Sequence, residues 1–267
     1  MQFLPCFAML LSVVTATAQS PLNDIVPRTT QQEKRLLQPQ FVREADIFWS
    51  RRVWRVIDVR EKQNLPFVYP AAPLFDILKK AILDGELDAY AASDQDFLRP
   101  LAGAELSRVF ATVDTVPIFD PTDYSESLRV IENDFGYEDI KRYRLEEIWY
   151  IDRRTSTLQV QVLAISPLRD KTDDNGNFQY ELPMYRVYFP HARSVLARAP
   201  VFVTGNDSAR YSWDDLFRQR RFSSYVYKGS NVRDERLSDA YSGRDLLREA
   251  AQLEAEIFNR ESDLWSY

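Results

Sequence analysis

The stretch from Lys141 to Phe189 constrains this chain most, because it holds the densest run of strand-forming residues in the sequence. Between Arg142 and Ile151, Tyr143, Leu145, Trp149 and Ile151 share one face of an extended chain while mostly charges occupy the other, the period-two pattern of a half-buried strand. Glu147 interrupts the apolar face once. Beyond Asp152-Arg153-Arg154-Thr155, Leu158, Val160, Val162 and Ala164 fall on one side with Gln159 and Gln161 opposite, so the two runs predict a hairpin. A polar loop carries Asp174-Asn175-Gly176, whose Asn-Gly step supplies the positive φ of a tight turn, and Met184 to Phe189 is predicted as a third strand. The pattern predicts an α+β fold: a central antiparallel sheet, a meander around 141–189, with packed helices.

The two ends read differently. Gln2 to Val14 is apolar apart from Gln2 and Ser12, and Ala16-Thr17-Ala18 matches a small-residue cleavage pattern, which predicts a signal peptide over 1–18. Residues 19–40 mix Gln, Thr, Pro and charge and are predicted to be a flexible arm. Residues 41–267 are predicted to form a single mixed α/β domain, with 41–139 and 140–267 as two closely packed subdomains the other division. Cys6 is the one cysteine and lies inside the apolar run, so the exported chain is expected to lack disulfides, thiolate metal sites and a cysteine nucleophile. No later stretch approaches the roughly 18 apolar residues of a membrane span, so a soluble exported product is expected. Seven glycines argue against repeats and glycine-rich phosphate loops.

Local cues predict further elements. Phe41 to Arg52 looks helical, and Val53 to Val59 has strand character. Pro73 opens a helix whose Leu74, Ile77, Leu78, Ala81 and Ile82 form one stripe, with Gly85 as its stop. Gly103 to Leu106 and Leu128 to Asn133 suggest short helices, and Val116 to Pro121 an extended crossing. Val195 to Val203 is read as a fourth strand or a short helix, and Gly205-Asn206-Asp207 as a turn. Ser212 with Asp215 makes a capping box, as does Ser242 with Asp245 ahead of a last helix with Leu246, Ala250, Leu253 and Ile257 on one face. Phe222 to Tyr227 has strand propensity.

The search for chemistry returns no catalytic residue, no metal site and no cofactor. His191 is the one histidine, without a glycine-flanked serine elbow to accompany it. Asp170 to Glu181 superficially resembles a calcium loop, but Lys171 and Leu182 stand where carboxylates are required, so a hairpin loop is the better reading. Glu146-Glu147 on a strand point to opposite faces, and Asp214-Asp215 open a helix. Asn206-Asp207-Ser208 matches a glycosylation sequon, a short and promiscuous pattern. The basic residues are dispersed over a chain of net charge −6, so no nucleic-acid footprint is visible. The charge is uneven: Asp84 to Asp139 carries 14 carboxylates against Arg99, Arg108 and Arg129, while Arg51, Arg52, Arg55, Arg60 and Lys62 lie close together. Such asymmetry bears on association and steering.

Trp49-Ser50-Arg51-Arg52-Val53-Trp54-Arg55-Val56-Ile57-Asp58-Val59-Arg60-Glu61-Lys62-Gln63-Asn64-Leu65-Pro66 closely resembles the GldN/PorN family of gliding-motility and type IX secretion proteins. Gly85 to Tyr90, Ile140 to Glu147, Tyr188-Phe189-Pro190, Asp215-Leu216-Phe217, Ser230-Asn231-Val232 and Glu256 to Asn259 agree in order, so the resemblance runs from about Phe41 to the C-terminus. It implies a non-enzymatic periplasmic scaffold that forms a ring at the inner face of the outer membrane with a GldK/PorK-type lipoprotein, touching the membrane only through that partner. It also implies contact with the periplasmic region of a GldM/PorM-type motor protein, and no catalytic residues to carry over. A ring requires two different patches meeting head to tail. The expected interaction residues are therefore Arg51, Arg52 and Arg55, with the Arg51/Arg52 region approaching the 84–139 region of a neighbour in the homo-oligomer, directly or around the lipoprotein. Trp265 and Tyr267, with Leu264, are expected to dock on a partner or pack in the core. The rival reading is a periplasmic small-molecule binding domain with its aromatics lining a pocket.

Overall fold

The computed structural model describes residues 36, 41–119, 126–173, 177–205, 209 and 211–264, with backbone alone at 112–119, 126–132, 172 and 264. The predicted signal peptide, all of the arm except Leu36, the Asp174-Asn175-Gly176 turn, the sequon, and Trp265 and Tyr267 lie outside the described residues.

The elements follow in order: β1 (Ile47–Asp58), a 3-10 turn (Lys62–Val68), α1 (Leu74–Leu83), β2 (Ala89–Tyr90), α2 (Ala104–Phe110), β3 (Ala111–Phe119), β4 (Glu126–Asp134), β5 (Ile140–Asp152), β6 (Thr157–Thr172), β7 (Phe178–Pro183), β8 (Arg186–Tyr188), α3 (Phe189–Arg198), α4 (Trp213–Arg218), β9 (Tyr225–Gly229), α5 (Leu237–Ala240) and α6 (Gly243–Leu264). Seven strands form one sheet in the order β2-β8-β6-β5-β1-β9, with β7 pairing the far end of β6, and all these pairings are antiparallel. β3 and β4 make a separate two-stranded sheet. The α+β architecture around a central antiparallel sheet is therefore the one the strand pattern predicts.

Where local cues are strong, the elements form as predicted. α1 buries Leu74, Phe75, Leu78, Ala81 and Ile82 on one stripe and stops at Gly85, whose φ of 74° suits a residue without Cβ. In α4 the Ser212 hydroxyl accepts from the Asp215 N–H at 3.3 Å while the Asp215 carboxylate accepts from the Ser212 N–H at 3.1 Å. α6 buries Leu253 and Ile257, with Leu246 and Ala250 half-buried.

Three expectations are corrected, each where a long-range partner decides. The helix predicted over Phe41 to Arg52 is only a 3-10 turn at Glu44–Asp46, and β1 begins at Ile47 because its chain pairs along β5, Trp49 opposite Ile151 through Asp58 opposite Arg142. The helix predicted over Leu128 to Asn133 is strand β4, which pairs fully with β3 and whose Val130 and Ile131 are β-branched. The third strand predicted over Met184 to Phe189 shrinks to the three-residue β8, while β7, which precedes the predicted span, ends at Pro183. β6 is 16 residues long and lines both, while Phe189 already begins α3 with Pro190 in its first turn. Val195 takes the helical of its two predicted options.

The register puts Val53, Arg55 and Ile57 of β1 on the same face as Tyr143, Leu145, Glu147 and Trp149 of β5. The helices pack on this face. Ile57, Tyr143, Leu145 and Ile165 join Phe67, α1, α3 and α4 in the main core, where Phe67 meets the rings of Tyr143 and Trp213 at 5.5 and 5.0 Å. Val53, Trp149 and Val226 join Leu253 and Ile257 of α6 in a second cluster. Each such buried side chain contributes roughly 1.5–3 kcal/mol.

Candidate interaction surface

β1 separates the arginines that are adjacent in sequence. Arg51 and Arg55 lie opposite Trp149 and Leu145, on the helix-bearing face, whereas Arg52 lies opposite Ile148 and faces the other way. Arg55 is buried: its Nη2 reaches Glu254 of α6 at 2.6 Å, and its Nε donates to the Ser224 hydroxyl at 2.9 Å. Arg51 Nη1 reaches Glu256 of α6 at 3.1 Å. The Arg51 hydrogen bond, followed by one from Gln252, holds the Glu256 carboxyl below its ordinary range. Both arginines thus tie α6 to the sheet. Arg52 contacts Glu146 at 3.1 Å with its side chain 43% exposed, which makes it the most accessible of the three.

The opposite sheet face is largely polar, with buried Val56 among its polar groups. β1 contributes Arg52, Trp54 and Asp58, and β5 contributes Arg142, Arg144 and Glu146. A cleft of about 280 Å³ opens there, walled by Trp54, Arg144, Glu146, Arg186, Tyr227 and Lys228. Arg186 donates to Glu146, and Lys228 Nζ sits 2.6 Å from Asp234 and 4.6 Å from the Trp54 ring centre. The Arg144 guanidinium lies 5.0 Å from the Tyr227 ring centre. Its Nε is buried without a hydrogen-bond acceptor among the described residues.

A second polar knot closes the far end of β1. The Asp58 carboxylate accepts from Arg60 Nε at 2.8 Å, from the Arg60 N–H at 3.0 Å and from Arg142 Nε at 3.0 Å. The Arg60 side chain is the largest cause that holds the Asp58 carboxyl well below the usual carboxylate range, against the opposing effect of burial.

The residues weighed for chemistry are placed apart. His191 is exposed on α3, edge-on to Tyr188 at 4.9 Å, and the Ser194 hydroxyl bonds its carbonyl, not its ring. Asp214 is buried in a two-point pair with Arg193, at 2.7 and 3.1 Å. Among the described residues no group of three or more His, Cys, Asp or Glu could hold a metal ion, and no helix is long and apolar enough to cross a membrane. The Arg144–Arg186–Tyr227 grouping is absent from the sequence reading. Its one sequence signal is the polar alternation of Arg142, Arg144 and Glu146 on β5, because Arg186 and Tyr227 arrive from other strands.

Comparison with known families matches residues 42–266 to a model described as gliding motility associated protein GldN. No curated protein matches the chain.

Proposed function

This chain belongs to the GldN family of gliding motility associated proteins, and from that premise we propose that it works by contact, as a non-catalytic scaffold of the type IX secretion and gliding apparatus. In this reading the exported chain sits in the periplasm at the inner face of the outer membrane. It forms a ring with a GldK/PorK-type lipoprotein and meets the periplasmic part of a GldM/PorM-type motor. The observation that carries the reading is the family match across residues 42–266. The uneven charge supports it, since a heterologous ring joins two unlike patches and opposite charge favours one register. Arg52 is the arginine best placed to face the acidic 84–139 region of a neighbour, because Arg51 and Arg55 already hold α6.

The test is purification of the tagged protein from envelopes in mild detergent, with mass spectrometry of what accompanies it. Megadalton particles containing the lipoprotein and the motor are expected. A solitary, freely diffusing chain in cells with an intact envelope complex would overturn the scaffold. A different cleft, of about 400 Å³ and walled by Tyr150, Val160, Phe189 and Arg193, favours a second reading, a periplasmic small-molecule binding domain, whose sign is a monomer that a metabolite stabilises against heat.

A further inference from the structure

The polar cleft on the open sheet face has a charge surplus that its own residues leave unanswered. Its basic groups are Arg144, Arg186, Lys228 and Arg236, and its acidic groups are Glu146, Asp234 and Asp239. Each carboxylate is engaged. Glu146 is shared by Arg186 and Arg52, Asp234 pairs with Lys228, and Asp239 accepts from the Arg236 backbone N–H at 3.0 Å. The guanidinium groups of Arg144 and Arg236 are left without a carboxylate partner among the described residues. In a chain whose net charge is −6, a local cationic surplus of this kind is out of balance with its surroundings.

Arg144 carries the stronger signal. A buried N–H without an acceptor costs about 1–3 kcal/mol, and more when it belongs to a charged group, so native structures rarely leave one unanswered. The ring of Tyr227 orders the guanidinium plane from one side. Burial pushes the Tyr227 hydroxyl up to about 12, while Arg144, Arg236 and Arg186 all act to lower it. Glu146 acts the other way, and of these charged groups it is Arg144 that stacks on the Tyr227 ring.

We propose that this cleft is a binding site for a carboxylate carried on a polypeptide, an Asp or Glu side chain or a chain end, with Arg144 as its principal ligand and Arg236 at its rim. A planar carboxylate matches the guanidinium fork. A phosphate dianion is disfavoured by Glu146, Asp234 and Asp239, which stay in the walls. The volume, about 280 Å³, falls just below the range of about 300–1,000 Å³ typical of small-molecule pockets, so one inserted side chain suits it better than a whole cofactor. Trp54 and Tyr227 offer the flat walls that the carbon stem of such a residue packs on. The inference rests on the cleft and not on the scaffold reading. A chain that binds the probe below yet assembles with nothing would keep this site and remove that reading.

The experiment titrates the full exported chain, at fixed ionic strength, with acetyl-Ala-Glu-Ala-amide, its glutamine counterpart and inorganic phosphate, following the arginine Nε–H signals by NMR. The glutamate peptide is expected to shift the Arg144 signal saturably, the glutamine peptide to leave it in place, and phosphate to bind more weakly. Arg144→Gln is expected to weaken the glutamate peptide by about tenfold or more, and Arg236→Gln by less. If Arg144→Gln fails to fold, the exposed Arg236→Gln decides, and unchanged affinity there overturns the site. Equal response to both peptides, affinity unchanged in both variants, or tighter binding of phosphate would each overturn it too.

Discussion

At the scale of single residues, the most consequential is a carboxylate that the strand pattern marks only as an interruption. Glu147 is fully buried on the helix-bearing face, where its oxygens accept from Trp149 Nε1 at 3.0 Å and from Arg220 at 2.6 Å. Arg220 in turn lies over the rings of Trp149 and Phe222, at 4.9 and 5.3 Å. Removing Glu147 strands the Trp149 N–H and Arg220, and because Arg220 is 23% exposed the cost is about 2–3 kcal/mol, less than for a fully buried pair. Glu147→Ala is therefore expected to lose that much in urea unfolding. Glu147→Gln should lose less, since its amide oxygen still accepts from one donor; equal losses would show that charge alone is at work.

Asp58 gives the pH dependence. Its folded-state carboxyl is held low by Arg60, so its contribution is present above the unfolded value of about 3.9 and disappears as pH falls below that toward the folded value. Thermal midpoints between pH 6 and pH 2 should drop more steeply for the native chain than for Asp58→Asn. The two should approach each other at the acid end. Parallel curves would mean that the Arg60 and Arg142 contacts carry no linked stability.

Among the elements, α6 shows how a helix is held by a narrow seam. Leu253 and Ile257 are its buried anchors, Glu254 and Glu256 take Arg55 and Arg51, and Glu261 accepts from the Leu158 N–H at 3.2 Å. The seam closes over Gly229 of β9, where a Cβ would stand 2.7 Å from the Leu253 Cδ1 methyl. Gly229→Ala should push this anchor off its seat and cost about 1–2 kcal/mol as an overpacked contact. Amide exchange along α6 should accelerate selectively; protection unchanged in α6 would mean that Leu253 simply rotates away. Elements with short-range cues, such as the stripe of α1 and the cap of α4, were legible in the sequence because the residues that decide them are neighbours. β1 was half legible. Its alternation shows from Val53 onward, but the mixture of acids and arginines before that suits a helix until β5 supplies a partner. The same holds for β4, whose partner is β3 and not its own preceding turn.

At the scale of the whole molecule, the sheet packs one face on the main helices and carries a largely polar cleft on the other. That division explains why the site was less legible than the fold. Arg51, Arg52 and Arg55 read as one basic cluster along the chain, yet strand alternation sends Arg52 to the open face and the other two under α6. Conversely, Arg144, Arg186 and Tyr227 share a cleft only because β9, β1, β5, β6 and β8 stand in that order. This geometry refines how charge-driven assembly is tested. Arg51→Glu places a carboxylate beside Glu256 and loosens α6, so any loss of assembly there is confounded with loss of fold. Arg52→Glu acts at the half-exposed position and leaves the α6 ties intact. In sedimentation at low salt, it should weaken self-association; because it also sets a carboxylate beside Glu146, which Arg186 still pairs, Arg52→Gln is the fold control, expected to weaken association less at a melting temperature closer to native. The gap between native and variant should narrow as salt is raised, because charges at a solvated rim are screened within about 8–10 Å at 0.1–0.15 M. Association that is indifferent both to this reversal and to salt would mean that the acidic 84–139 region is not what Arg52 meets, and that neighbours join through apolar surface instead.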